Sequence, residues 1–209
     1  MKSMNSRLVK RILPPLIPYI TISIGLLVFH NVWLAILGYH AGIVAVILLS
    51  KTRISLKQAF QGNKCWMPLI TALAGASGGI LLYALWPLLS VPDDINLYIR
   101  SIGLNEQTWP IFLVYFTLVN PLIEEYYWRG YLTSPSKGIT LNDLLFSGYH
   151  LLVLAGNMEA IWLLAVFFVL AAGAWFWRQM NRLNGGLLAS AVSHIAADIA
   201  VMLTIYYLS

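Results

Sequence analysis

Glu124 and Glu125 stand side by side in the run Asn120-Pro121-Leu-Ile-Glu124-Glu125-Tyr-Tyr-Trp-Arg129-Gly130, with apolar residues on its amino-terminal side. Glu125 and Arg129 are four residues apart, on one face of a helix, and can pair there. Glu124 is turned by about 100° from Glu125, so one carboxylate can be structural while its neighbour faces a cavity. Pro121 is expected to bend the helix and free a carbonyl near the acidic pair. Two more clusters follow, Phe146-Ser-Gly-Tyr-His150 and His194-Ile-Ala-Ala-Asp198, the second with its imidazole and carboxylate on one face. A carboxylate, two imidazoles and a further acceptor are a sufficient kit for hydrolysing a peptide bond. The carboxylate acts as general base on water, an imidazole positions that water, and the others stabilise the oxyanion. The same groups suit zinc, with Glu124, His150 and His194 as ligands if a divalent metal is present, although no His-Glu-x-x-His signature occurs. Each cluster alone also has a plainer reading. The glutamates can sit at the water interface balancing Arg129, His150 can bond a neighbouring helix, and His194 and Asp198 can form a structural pair.

The elements that must position these groups are membrane helices. Of the residues, 59% are hydrophobic and 10% charged, against about 25% charged in a soluble domain. Seven apolar runs approach or exceed the roughly 20 residues that span the hydrocarbon: 12–29, 32–50, 66–91, 109–128, 141–156, 158–177 and 184–208. The fifth is short and contains His150. The runs are continuous and do not alternate in polarity, which favours helices over a barrel. The expected fold is an all-α, polytopic membrane bundle of about seven transmembrane helices, with an active-site cavity among the later ones. The first run is too long, and lacks the small-residue cleavage site, for a signal peptide. An intramembrane ionisable group costs on the order of 2.5–3.5 kcal/mol by insertion scales and by default marks function. The first three helices hold almost none apart from His40, so 12–91 reads as a scaffold and 109–208 as the catalytic core of a single 1–209 domain.

Charge gives the topology. With the amino terminus inside, the connections at 1–11, 51–65, 129–140 and 178–183 are cytoplasmic, and apart from Arg129 they hold eleven of the thirteen Lys and Arg. The other side holds Arg100 with Asp93, Asp94, Glu106 and Glu159. This is the positive-inside pattern, and it places the carboxyl terminus outside. The net charge of +5 is therefore a topology signal, with no nucleic-acid partner implied. Cys65 is the only cysteine, which excludes an intramolecular disulfide and a cysteine-rich metal site.

The three motifs, in this order and each in an apolar helix, resemble those of the CAAX protease and bacteriocin-processing (CPBP) family, the type II CAAX prenyl endopeptidases. The family patterns are Glu-Glu-x-x-x-Arg, Phe-x-x-x-His and His-x-x-x-Asn or Asp. They read here as Glu124-Glu125 to Arg129, Phe146 to His150 and His194 to Asp198. Asn184-Gly185-Gly186-Leu187-Leu188, entering the last helix, is similar to the family as well, and the resemblance covers about 109–200. It implies a glutamate-dependent intramembrane endopeptidase in which Glu124 activates water with His150, while His194 and Asp198 stabilise the oxyanion or orient the substrate. Glu125, Arg129 and Phe146 would be supporting residues. Asp198 stands where many members have Asn, which can donate to an oxyanion as ionised Asp cannot.

Two other readings remain. Gly75-Ala76-Ser77-Gly78 matches the Gly-x-Ser-Gly of rhomboid serine proteases, with His150 or His194 as its partner, but small residues are also what close helix packing selects. A membrane scaffold, immunity factor or partner-binding protein could keep the same cavity without turnover. The expected substrate is a membrane-associated protein or peptide tail, and the expected location is a bacterial inner membrane.

Overall fold

In the computed structural model, residues 13–50 and 55–209 are described. The basic residues at positions 2–11 and the start of the 51–65 connection lie outside them. Among the described residues every regular element is helical. The helices are α1 (Leu13–Val28), α2 (Val32–Leu49), α3 (Leu56–Ala59), α4 (Met67–Leu88), α5 (Ile95–Ser101), α6 (109–131), α7 (Leu141–Leu154), α8 (Ala160–Asn184) and α9 (Leu188–Leu208).

Helices α2, α4, α8 and α9 are each long and apolar enough to cross a bilayer, with hydropathy from 1.7 to 2.2. Aliphatic side chains on α4 such as Leu69, Leu73 and Ile80 are 68–71% exposed, as suits a face turned to lipid. The protein is an integral membrane protein, and these four helices are its candidate spans among the described residues. The other three expected spans do not meet the same measure. Helices α1 and α7 are apolar but short, and α6 contains Glu124, Glu125 and Arg129.

Three differences from the expected boundaries have local causes. Helix α8 runs on through 178–183, expected as a connection, because Gly185 alone takes the left-handed conformation (φ 74°) that ends it. The expected connections 51–65 and 92–108 each contain a short helix, α3 and α5. Helix α6 is not a uniform α-helix: it widens into π turns at Tyr115–Val119 and Glu125–Tyr131, around an α segment at Asn120–Glu124. Pro121 cannot donate to the carbonyl a turn before it, so the expected distortion falls where the carboxylates sit. Such π segments recur at functional sites.

The pairing of α4 with α9 sets the height of the last motif. A Cβ on Gly75 would lie 2.0 Å from the Ser193 carbonyl, and one on Gly79 would lie 2.4 Å from Ala200. Only glycine allows the backbones this close, as small residues four apart do in membrane helices. Thr71 Oγ1 donates to the Ala189 carbonyl at 2.8 Å, and Thr204 Oγ1 to that of Gly79 at 3.2 Å. Ser77 is exposed and donates to Ala74 of its own helix, so this segment packs helices through its glycines and its serine bonds neither histidine.

Helices α7 and α8 are tied by a buried ion pair. Arg178 Nη2 lies 2.6 Å from Asp143 Oδ2, and its Nε donates to Asp143 Oδ1 at 3.2 Å. Asp143 also closes the capping box of Thr140 at the start of α7. Arg178 further donates to the carbonyls of Ser136 and Gly138, fixing the loop that leads into the His150 helix.

Candidate active site

Helices α6, α7 and α9 bring the carboxylates and imidazoles together. Glu124 and Glu125 are 1% and 0% exposed, so neither sits at the water interface. Glu125 pairs with Arg129 (Nη1 to Oε1, 3.2 Å) on its own helix, as the four-residue spacing predicts. Its Oε1 also accepts from His194 Nδ1 at 3.1 Å. That bond fixes the ring of His194, which stacks on Trp177 at 4.3 Å and 21°. The other nitrogen, His194 Nε2, lies 3.6 Å from Glu124 Oε2 and 3.6 Å from Asp198 Oδ1. These separations exceed a hydrogen bond and match groups that share a third partner between them. Glu124 Oε2 and Asp198 Oδ2 are buried with no hydrogen-bond partner among the described residues, so a small polar reactant placed there would find two carboxylate acceptors and an imidazole.

His150 is placed differently from the other three. Its Nδ1 donates to the Phe146 carbonyl at 2.7 Å, and its ring stacks on Tyr149 at 4.1 Å. Tyr149 in turn donates its hydroxyl proton to Glu124 Oε1. His150 therefore reaches Glu124 through Tyr149, whereas His194 faces Glu124 directly. Phe146 serves two groups: its carbonyl holds His150, and its ring lies 4.0 Å from the Arg129 guanidinium, a cation–π contact.

Several participants gave little sign in the sequence. Tyr149 lies between two motif positions, and Tyr39 accepts from Trp128 Nε1 at 2.8 Å on the flank of the same aromatic cluster. His40 of α2 is buried and uses both ring nitrogens: Nε2 meets Asn120 Oδ1 at 3.0 Å, and Nδ1 meets the Tyr115 hydroxyl at 2.6 Å. With Asn120 as acceptor on Nε2, Nδ1 is left to accept from Tyr115. Asn120 is also close enough to act on Asp198, so a polar chain runs from the second helix to the last motif. His40 did carry a signal, as the one ionisable side chain in the apolar runs of the first half.

Among the described residues no group of three or more His, Cys, Asp and Glu is arranged to hold a metal ion. Residues 106–200 match the model of the family described as type II CAAX prenyl endopeptidase Rce1-like. No curated protein and no solved structure shows a significant match.

Proposed function

We propose that this membrane protein is an intramembrane endopeptidase whose base is Glu124, since residues 106–200 match the Rce1-like, type II CAAX prenyl endopeptidase family model. The observation that supports this reading best is the convergence of Glu124 Oε2, His194 Nε2 and Asp198 around one point, with both carboxylates keeping an unpartnered oxygen. In the proposed reaction a water held between Glu124 Oε2 and His194 Nε2 gives a proton to Glu124 as its oxygen attacks the scissile carbonyl. His194, in its doubly protonated form with Nδ1–H donated to Glu125, donates Nε2–H to the charge that develops on the carbonyl oxygen. Protonated Glu124 then passes its proton to the leaving amide nitrogen, and the carboxylate is restored. Asp198 acts as an acceptor that orients water and His194, a role that suits Asp without the donor capacity of Asn. His150 supports Glu124 through Tyr149, and Arg129 and Phe146 hold Glu125 and His150 in place.

The substrate class is a membrane-associated protein or peptide tail. The bundle carries seven helices across the bilayer, α1, α2, α4 and α6 to α9, with the amino terminus in the cytoplasm. Substrate capture with Glu124→Gln in native membranes identifies the tail. Purified wild type and the Glu124→Gln and His194→Ala variants are then compared on it in nanodiscs. Wild type should cleave, and Glu124→Gln should lose about 10²–10⁴-fold, the worth of general-base catalysis. Equal rates in all three would refute the reading and leave a non-catalytic, partner-binding protein. Turnover that persists in EDTA supports activation of water by the carboxylate alone, and loss that zinc restores supports a metal.

A further inference from the structure

A cavity of ≈ 260 Å³ lies apart from the convergence of Glu124, His194 and Asp198, at the ends of α6 and α8 and the turn into α9. Its wall includes Arg129, Arg178, Arg182, Asn181, Gln58 and Thr133, and no acidic side chain lines it among the described residues. Arg178 is neutralised by Asp143. Arg182 is exposed and, among the described residues, bonds the neutral Gln179 side chain and no carboxylate, so it brings positive charge to the rim. Further in, Arg129 Nη1 is taken up by the Glu125 ion pair, while Arg129 Nη2 and both polar atoms of the Asn181 side chain are buried with no hydrogen-bond partner among the described residues. Arg129 is 4% exposed. Buried donors of this kind are normally satisfied, and a cavity edged by them suits a compact anion.

The surroundings select the kind of anion. Leu56, Leu183 and Leu188, each within two residues of a lining position, are 66%, 55% and 36% exposed. The connection 59–64 clasps the turn that forms one wall, with Leu187 N donating to the Ala59 carbonyl and Asn63 N to that of Asn184, both at 2.8 Å. That connection leads directly into exposed Trp66, with Lys64 Nζ 5.9 Å from its ring, a pairing that belongs at headgroup level. At ≈ 260 Å³ the cavity is below the roughly 300–1,000 Å³ of small-molecule pockets, which fits a single headgroup whose acyl chains lie along the leucines. We propose that this cavity binds the phosphate of an acidic phospholipid headgroup. Arg129 lines the cavity and also pairs with Glu125, so the bound lipid adjoins the catalytic cluster through one shared side chain.

The proposal does not rest on the peptidase reading, and its test needs no turnover. Wild type, Arg182→Gln, Arg182→Lys and Asn181→Leu are reconstituted in nanodiscs of phosphatidylcholine with or without phosphatidylglycerol. Lipid retention is read by native mass spectrometry, and thermal unfolding is followed in parallel. Wild type should retain phosphatidylglycerol selectively and unfold at higher temperature with it. Arg182→Gln should retain it about ten-fold less, the loss of one charge-assisted hydrogen bond, and Arg182→Lys should recover most of the retention. Asn181→Leu should also lose selectivity. Inorganic phosphate is then added to lipid-depleted protein in detergent: no shift in unfolding supports the lipid, and a shift as large as that from phosphatidylglycerol overturns it in favour of a soluble anion. Equal retention of both lipids by wild type and every variant overturns the site itself.

Discussion

Glu124 presents its two oxygens to different surroundings. Oε1 accepts from the Tyr149 hydroxyl, while Oε2 faces His194 with no hydrogen-bond partner. A carboxylate held by one oxygen keeps the other aimed, which is the positioning a general base requires. Tyr149→Phe removes the hold and keeps the ring that stacks on His150. It should lower kcat about ten-fold, the worth of a hydrogen bond to a charged group, with KM little changed. Steady-state kinetics on the captured substrate checks this; an unchanged kcat in a protein that merely unfolds earlier would make Tyr149 structural. At this scale the sequence revealed the ionisable groups, because Glu124, His194 and Asp198 have no reason to lie in apolar runs without a use. It did not reveal who meets whom. Tyrosine in a membrane helix is ordinary, and the meeting of Tyr149 with Glu124, or of His194 with both glutamates, depends on how three helices turn against one another.

Helix by helix, the site is held by contacts of two kinds. The α4–α9 pair uses small residues and backbone proximity, and the α7–α8 pair uses a buried charge couple. Removing one partner of a buried ion pair leaves the other uncompensated, at about 3–5 kcal/mol. Asp143→Ala should therefore destabilise by that order, since it strands Arg178 and removes the cap of α7; chemical unfolding in detergent measures it. A loss below about 1 kcal/mol, as for an exposed pair, would show that water reaches Arg178. The sequence located the apolar runs that became these helices, and its positions for α1, α2, α4 and α7 fall within a few residues. It placed the end of α8 too early because a change from apolar to polar residues resembles a helix end. Arg178 and Asn181 in fact continue the helix, and Gly185 stops it. The π turns of α6 were legible only as a bend at Pro121, since widening depends on packing around Asn120 and Thr117.

For the molecule as a whole, the charge pattern leads to a proposed orientation that one residue can report. Cys65 is the only cysteine and is exposed, in a connection assigned to the cytoplasmic side. A membrane-impermeant maleimide should leave it unlabelled in intact cells and label it in inverted vesicles. The opposite result would invert the topology and put the Arg-lined cavity on the outer face. The same scale changes the meaning of the division into a scaffold half and a chemical half. The family match begins at residue 106, yet Asn120 within it is completed by His40, far outside it. An excised 106–200 segment would face lipid with an amide and a tyrosine hydroxyl that have lost their shared histidine, where a polar group without a partner costs most. The amino-terminal helices thus complete the motif-bearing ones as a bound partner would, although one chain joins them. Supplied as a separate chain containing His40, they should restore activity to the excised half, while the same fragment with His40→Phe should not.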